Sequence, residues 1–284
     1  MKHIIQLTLR LLILWGCGRS EATATGTHAG TPTDSSATSG AEALNKTETD
    51  TTLNISLLGD SMTWIGGENC EKEEGWTHYL KERFPNANID IYARSGATWT
   101  NTPKTKGDAK AYSVVIENEN VLYNQVSRLI NEAETDPAKR PDLIILYAGA
   151  NDAWFEKRRP GLYNEIKTPA DITTCKPSQC TTLASSIQLG VKKLQKAFPE
   201  ARIVMVTPVE MAQTPTARIT KVGDAIEKTG KELGVEVLRA DKNVPIKHEE
   251  EKQGRRYTSD GAHTNPEGAK LIADFIISSI FTNN

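Results

Sequence analysis

A serine, a histidine and an aspartate of this chain occur in local contexts that suit nucleophilic catalysis. Ser61 ends the apolar run of the stretch SLLGDSMTW, directly after a glycine and an aspartate. His263 follows Asp260 by three residues in the stretch DGAH. A serine hydroxyl needs a neighbouring base to take its proton, and a carboxylate bonded to the imidazole holds the tautomer that can do so. The three residues could therefore be a nucleophile, a base and an orienting acid, although a serine after Gly-Asp is also common in ordinary turns.

Elimination among the five histidines favours His263 as the base. His3 and His28 lie in the N-terminal region, which lacks the pattern of a folded domain. His248 lies in the charged run KHEEEK and is predicted to be on a solvated surface. His78 lies on a short predicted amphipathic helix, as a packing or surface residue. The remaining alternative is that His263 is a turn residue with no catalytic role.

Short apolar runs alternate with segments of helical spacing between residues 53 and 284. The predicted strands are 54–58, 88–93, 142–148, 202–207 and 235–240. Helical stripes occupy 122–130, 183–198, 219–233 and 271–280, with Gly234 as a C-terminal cap and Pro266 in the first turn of the last helix. The alternation predicts one α/β domain with a mainly parallel five-stranded sheet. In such folds the residues that bind ligands follow the carboxyl ends of the strands.

Four polar blocks occur at these predicted strand ends and before the last helix. GDS (59–61) follows the first strand, RSG (94–96) the second and GAND (149–152) the third, while DGAH (260–263) precedes the last helix. In this order, across residues 53–284, the blocks resemble those of the SGNH (GDSL-type) hydrolases, a superfamily of esterases and acylhydrolases. The resemblance implies a three-layer α/β/α flavodoxin-like fold and catalysis without a metal or another cofactor.

The resemblance also assigns roles to residues of the four blocks. Ser61 matches the nucleophile, and Asp260 and His263 match the other members of the catalytic triad. The backbone N–H groups of Ser61 and Gly96 and the side-chain amide of Asn151 match the donors of an oxyanion hole, which stabilise the tetrahedral intermediate of acyl transfer.

Two further aspartates and one departure from the family pattern concern the loops around these residues. Asp60 and Asp152 are predicted to brace the loops that carry Ser61 and Asn151. Thr264 stands where many relatives have proline, and we expect this to alter the loop rather than the chemistry.

Three tryptophans follow the blocks within a few residues. Trp64, Trp99 and Trp154 are predicted to line the substrate site, by stacking on a sugar or by walling an acyl pocket. The alternative is that they cover loops against the sheet. The basic run EKRRPG (156–161) lies near the same rim and suits either an acidic substrate or a solvated surface.

The N-terminal region predicts export. Residues 1–16 carry two basic residues around a short apolar segment, as a secretion signal does. Cys17 ends a stretch that resembles the lipobox of bacterial lipoproteins, with Trp15 as a departure, so we expect lipidation of Cys17; a plain signal peptide is the alternative. Residues 17–52 are rich in Thr, Ser, Ala and Gly and are predicted to be a flexible tether. The expected location is a membrane-anchored lipoprotein that faces the periplasm or the cell exterior.

The other cysteines and the net charge bear on whether the protein has a disulfide, a zinc site or a nucleic-acid partner. Cys175 and Cys180 in CKPSQC could close a small disulfide loop in an exported protein, which leaves Cys70 unpaired. No second Cys or His pair has the spacing of zinc ligands. A formal net charge of −2 and a pI near 6.3 give no reason to expect a nucleic-acid partner.

Together these observations predict an exported serine esterase that acts through an acyl-enzyme on a small-molecule or glycan ester, with acetyl esters of carbohydrates as the expected substrates. The alternatives are a lysophospholipase or other lipid esterase, an O-acyltransferase that uses the same triad, and a non-catalytic glycan-binding lipoprotein on this fold.

Overall fold

Five parallel strands form the central sheet of the protein. The structure is a computed structural model and describes residues 52–165 and 169–281. The strands are β1 (Asn54–Gly59), β2 (Asn88–Ile91), β3 (Leu143–Tyr147), β4 (Arg202–Val206) and β5 (Glu236–Leu238). Their order in the sheet is β2-β1-β3-β4-β5, and every pairing is parallel. The predicted α/β fold class and all five predicted strands are confirmed, with shifts of at most two residues at the strand ends.

Nine α-helices accompany the sheet in the part of the chain that the structure describes. They are α1 (Ser61–Trp64), α2 (Trp76–Arg83), α3 (Leu122–Thr135), α4 (Ala150–Trp154), α5 (Leu183–Ala197), α6 (Thr216–Leu233), α7 (Ala240–Asn243), α8 (His248–Gly254) and α9 (Pro266–Phe281). As predicted, α9 begins at Pro266. Helix α6 ends at Gly234, which adopts a left-handed conformation with φ of 66°. Among the described helices, none is both long enough and apolar enough to cross a membrane.

Two hydrophobic cores lie on opposite faces of the sheet and give the molecule three layers. Successive side chains of a strand point to opposite faces, so Leu58 and Ile144 pack with helices α3, α5 and α6. Leu57 and Ile145 belong to the other core, with helices α2 and α9. Burial on both faces explains why the strands are apolar throughout rather than alternating.

The strand order determines where a ligand site can form. β1 lies between β2 and β3, so the chain leaves the centre of the sheet in one direction for β2 and in the other for β3. Open α/β sheets bind ligands in the crevice that this reversal creates, outside the carboxyl ends of the strands. Ser61 follows β1 and Asn151 follows β3, on either side of that crevice.

Candidate active site

Three of the predicted site segments meet at the carboxyl edge of β2, β1 and β3. The N–H of Asp60 donates to the carbonyl of Tyr147 at the end of β3, over 3.3 Å. The N–H of Arg94, after β2, donates to the carbonyl of Gly59, over 3.1 Å. These two bonds join the turn that carries Ser61 to the segments that lead to Gly96 and Asn151.

The turn at Ser61 depends on its two preceding residues. Asp60 is the N-cap of α1, and its Oδ1 accepts a hydrogen bond from the N–H of Met62 over 3.0 Å. This confirms that Asp60 braces the turn. Gly59 has no room for a side chain, because a Cβ atom there would lie 2.3 Å from the carbonyl oxygen of Tyr147. Ser61 is thereby the first residue of a short helix at the end of a buried strand.

Gln125 on α3 also fixes this turn, and sequence reasoning missed it. Its Oε1 accepts from the N–H of Gly59 and its Nε2 donates to the carbonyl of Gly59, both over 2.8 Å. A fully buried side-chain amide thus satisfies both backbone groups of the residue two positions before Ser61. The signal available in the sequence was a polar residue on the apolar face of the helix predicted over residues 122–130.

His263 and Asp260 form a hydrogen-bonded pair in the loop before α9. His263 Nδ1 lies 2.7 Å from Asp260 Oδ2, and Asp260 Oδ1 accepts from the N–H groups of Ala262 and His263 over 2.9 and 2.8 Å. Burial alone would raise the pKa of Asp260, but the hydrogen bonds from the His263 ring and from the two N–H groups outweigh it and lower the pKa. The carboxylate is therefore ionised and holds the Nδ1–H tautomer, which leaves Nε2 as the acceptor.

The loop of His263 is held from two sides. The N–H of Ala212, after β4, donates to the carbonyl of Gly261 over 2.7 Å. The hydroxyl of Thr264 donates to the carbonyl of Glu74 over 2.6 Å. The residue that departs from the family pattern therefore ties this loop to the segment before α2, through a hydroxyl that proline lacks.

The loop of His263 lies close enough to the Ser61 turn for a charge on its ring to oppose the burial that raises the pKa of Asp60. No hydrogen bond joins Ser61 Oγ to His263 Nε2 within residues 52–165 and 169–281. In proteins without substrate such catalytic contacts are often long and shorten in the complex.

Gly96 and Asn151 follow β2 and β3, the strands on either side of β1. The side-chain amide of Asn151 donates to the carbonyl of Ala97 over 3.0 Å, which holds α4 against the segment after β2. Gly96 has a φ of 74°, and a Cβ atom there would lie 2.9 Å from the N of Ile116. Neither the N–H of Ser61 nor that of Gly96 donates a hydrogen bond to another described residue. Both groups are free to bind an oxyanion.

Asp152 connects α4 to the loop after Gly96 and does more than brace the Asn151 loop. Its Oδ2 accepts from the N–H of Trp99 over 2.9 Å, and its Oδ1 accepts from the N–H and the hydroxyl of Thr100 over 3.0 and 2.5 Å. Full burial raises the pKa of this carboxyl despite these bonds. Arg159, from the basic run, is also buried and donates to the carbonyl of Thr100 over 3.2 Å, so this part of the run is not solvated.

Asp60 is the second fully buried carboxyl near the site. Its Oδ2 has no hydrogen-bond partner among the described residues. Burial raises its pKa to about 7, and the nearby Asp152 adds to the effect, while the N–H of Met62 and the His263 ring oppose it. Its charge therefore changes in the neutral range, one residue from Ser61.

The sequence and fold can now be compared with those of known proteins. The family model of the GDSL-like lipases/acylhydrolases matches residues 57–271. The chain belongs to this family. A GDSL-like lipase/acylhydrolase is an ester-bond hydrolase, so the predicted enzyme class is confirmed. Among curated proteins, none matches the chain closely enough to count as a relative.

Solved structures share the fold of this GDSL-family protein at low sequence identity. A protein from Lactobacillus plantarum is 16% identical, with a TM-score of 0.55, over 83% of this chain and 100% of that chain. A protein described as a GDSL-like lipase from Bacteroides ovatus is 12% identical, with a TM-score of 0.53, over 82% and 100%. A similarly described protein from Bacteroides uniformis is 17% identical, with a TM-score of 0.51, over 81% and 95%.

The three tryptophans of this GDSL-family protein differ in position. Trp99 was predicted to contact substrate, and this is wrong: its side chain is 1% exposed and belongs to the core, because the loop after Gly96 folds inward onto α3 and α5. Trp64 and Trp154 are half-buried, so part of each ring faces solvent. Their contact with substrate stays a prediction.

Other residues singled out from the sequence lie away from the site or outside the description. Cys175 and Cys180 are free thiols in the structure, so the predicted disulfide is not formed, although their side chains are close enough to hydrogen-bond. Cys70 is free and buried. His248 is not on a solvated surface, since its side chain is only 13% exposed and its Nδ1 lies 2.8 Å from the carbonyl of Met211. The signal, Cys17 and the tether up to residue 51 lie outside the described residues.

Proposed function

We propose that this GDSL-family protein is a serine esterase that works through an acyl-enzyme. Ser61 attacks the ester carbonyl, His263 Nε2 takes the Ser61 proton and gives it to the leaving alcohol, and water then cleaves the acyl-enzyme by the reverse sequence. The observation that carries the proposal is the 2.7 Å bond between His263 Nδ1 and Asp260 Oδ2, in a loop held beside the sheet edge where Ser61 lies.

The oxyanion of each tetrahedral intermediate would be bound by three donors. The N–H groups of Ser61 and Gly96 have no competing acceptor among the described residues. The Asn151 amide uses one of its two hydrogens on Ala97 and keeps the other. Donors that are fixed before the reaction cost no reorganisation when the charge develops.

The substrates that we propose are short acyl esters, acetyl above all, on carbohydrates. Half-buried Trp64, three residues after Ser61, would stack on a sugar with the face of its ring that the Arg94 guanidinium does not cover. Export as a lipoprotein anchored through Cys17, with residues 17–52 as a tether and 53–284 as the catalytic domain, would expose the enzyme to such glycans outside the cytoplasm. Both the anchor and the sugar preference are parts of the proposal.

Hydrolysis of p-nitrophenyl esters of increasing acyl length tests this function. We expect the wild type to prefer acetyl and Ser61→Ala to lose activity, while Ser127→Ala on α3 keeps it. Acetylated oligosaccharides and lysophospholipids then separate the substrate classes. Full activity in Ser61→Ala would overturn the mechanism, whereas a preference for lysophospholipids would overturn only the carbohydrate proposal.

A further inference from the structure

Arg94 is a buried cation at the catalytic edge of the sheet, and the reaction described above does not use it. Its side chain is 1% exposed. Its N–H donates to the carbonyl of Gly59, and its carbonyl accepts from the N–H of Ala97 over 3.2 Å. Its backbone is therefore fixed between the residue that precedes the Asp60–Ser61 turn and the segment of Gly96.

Two aromatic rings cover the guanidinium of Arg94. The Trp64 ring centroid lies 4.4 Å from its Cζ, and the Tyr112 ring centroid lies 3.5 Å from it. Trp64 is one helical turn from Ser61 on α1, so the two side chains leave the same side of that helix. Tyr112 is 62% exposed, which makes this cover part of the outer surface.

One edge of the guanidinium has no partner. Nη1 donates to the carbonyl of Ala93 over 2.6 Å, but Nε and Nη2 make no hydrogen bond with any described residue. These two atoms form one side of the planar group and can bind both oxygens of a carboxylate or phosphate. Buried donors without partners are rare and costly in native proteins.

Among the described residues, Glu68 is the only acid that forms an ion pair with Arg94. Its Oε1 lies 3.7 Å from Arg94 Nη2, which is too long for a hydrogen bond, and its side chain is 64% exposed. Burial, and the like charge of Arg128, lower the pKa of Arg94 to about 10, so the guanidinium stays protonated at neutral pH. An exposed carboxylate that makes no hydrogen bond to Arg94 thus lies beside the unpaired edge of a charged guanidinium.

We propose that the Nε and Nη2 edge of Arg94 binds an anionic group of the substrate, a carboxylate or a phosphate, which displaces the Glu68 carboxylate. The inference rests on the esterase function proposed above and narrows its substrates to esters that carry a negative charge near the reacting carbonyl. Displacing Glu68 costs little, because its exposed carboxylate makes no hydrogen bond to Arg94 and another anion takes its place beside the guanidinium. A purely structural role, clamping Trp64 to Tyr112, explains the two ring contacts but leaves the two donors unsatisfied.

Matched esters that differ only in charge test the proposal. On the acyl side, the pair is mono-p-nitrophenyl glutarate and its methyl ester; on the alcohol side, it is m-acetoxybenzoate and its methyl ester. Each is assayed with the wild type, Arg94→Lys and Glu68→Gln, at constant ionic strength. Glu73→Gln removes the same charge from an exposed position of the same loop and is the control.

We expect Glu68→Gln to raise kcat/KM for one of the charged esters about twofold to fivefold, because the competing carboxylate is exposed and makes no hydrogen bond to Arg94. The neutral esters and Glu73→Gln should stay at the wild-type level. Arg94→Lys should lower kcat/KM for that charged ester about tenfold or more, since lysine cannot make the paired bonds. Inorganic phosphate should inhibit hydrolysis of the neutral esters more strongly in Glu68→Gln and more weakly in Arg94→Lys. The pair that responds identifies the side of the ester that carries the anion.

Equal losses on charged and neutral esters in Arg94→Lys, with no selective change in Glu68→Gln, would overturn the proposal and leave the structural clamp. Because Glu68 is exposed, that variant is informative even if Arg94→Lys fails to fold. If neutral esters are cleaved in a Ser61-dependent way while the charge effects are missing, only the inference on Arg94 fails. If Ser61→Ala keeps full activity, the proposed function itself fails.

Discussion

The side-chain amide of Asn151 and the carbonyl of Ala97 are joined by a hydrogen bond of 3.0 Å. This bond links α4, which follows β3, to the residue after Gly96, which follows β2. It orients the amide and leaves its second hydrogen for a ligand. Asn151 is 6% exposed, so little water competes for that hydrogen.

We expect Asn151→Ala to lower kcat about 10²–10³-fold with little change in KM, because an oxyanion donor acts mainly in the transition state. Steady-state kinetics on p-nitrophenyl acetate provide the measurement, with Asn131→Ala on the exposed face of α3 as the control. A raised KM with unchanged kcat would assign Asn151 to ground-state binding instead.

Asp260→Asn should lower kcat by up to about 10⁴ while the protein stays folded. The two backbone N–H groups fix Asp260 Oδ1 as an acceptor, so the new amide nitrogen would face His263 Nδ1. It would donate there, place the ring proton on Nε2 and remove the base. The control is Asp274→Asn on α9, whose carboxylate contacts Lys270. Activity within about tenfold of wild type in Asp260→Asn would contradict this role.

Asp152→Asn should destabilise the protein and also lower its kcat. The carboxylate accepts three hydrogen bonds from Trp99 and Thr100, and an amide would replace one acceptor oxygen with an NH₂ group that cannot accept from these donors. Each buried donor left without a partner costs about 1–3 kcal/mol of the free energy of unfolding. Urea denaturation measures this loss, and Thr100→Val, which removes only the hydroxyl bond, should have a smaller effect. Equal stability of Asp152→Asn and wild type would show that the loop is held by other contacts.

Asp60 should make stability fall as pH rises towards neutral. Its pKa is about 7 in the folded protein against 3.8 as the ordinary value. Between these values the unfolded chain loses the Asp60 proton while the folded protein keeps it, so the folded state is favoured at low pH and loses that advantage up to about pH 7. Above that range both forms are ionised and the dependence ends.

Asp60→Asn removes this titration, and its Oδ1 can still accept from Met62. Its free energy of unfolding, relative to wild type, should therefore increase by a few kcal/mol from about pH 4 to about pH 8. Urea denaturation at several pH values measures the difference. A difference that stays constant over this range would mean that Asp60 is not protonated in the folded protein.

The sequence predicts the sheet well because buried strands depend on local information. Buried parallel strands need apolar runs such as LIILY of β3. Polar residues directly after such strands lie at the edge of the sheet where ligands bind, which makes them candidates for a site. Gln125 and Arg94 could not be assigned in this way. The role of Gln125 depends on a contact with Gly59, 66 residues earlier, and that of Arg94 on two rings brought together only by the fold.

Trp99 shows that proximity in the sequence can also suggest a wrong position in the fold. Its proximity to Gly96 in the sequence suggested the substrate rim, but Asp152 pulls the backbone of Trp99 and Thr100 inward. The direction of a loop depends on such buried contacts, which residue spacing does not encode. The same holds for His248, whose charged neighbours suggested a solvated surface while its ring contacts the carbonyl of Met211.

Covalent labelling of Ser61 tests the proposed mechanism most directly. Diisopropyl fluorophosphate reacts with a serine that a neighbouring base has activated, and intact-mass and peptide mass spectrometry locate the adduct. We expect one adduct per chain, on Ser61, that forms as esterase activity is lost and forms far more slowly in His263→Ala. An adduct on another residue, or full activity after Ser61 is labelled, would contradict catalysis by Ser61 and His263.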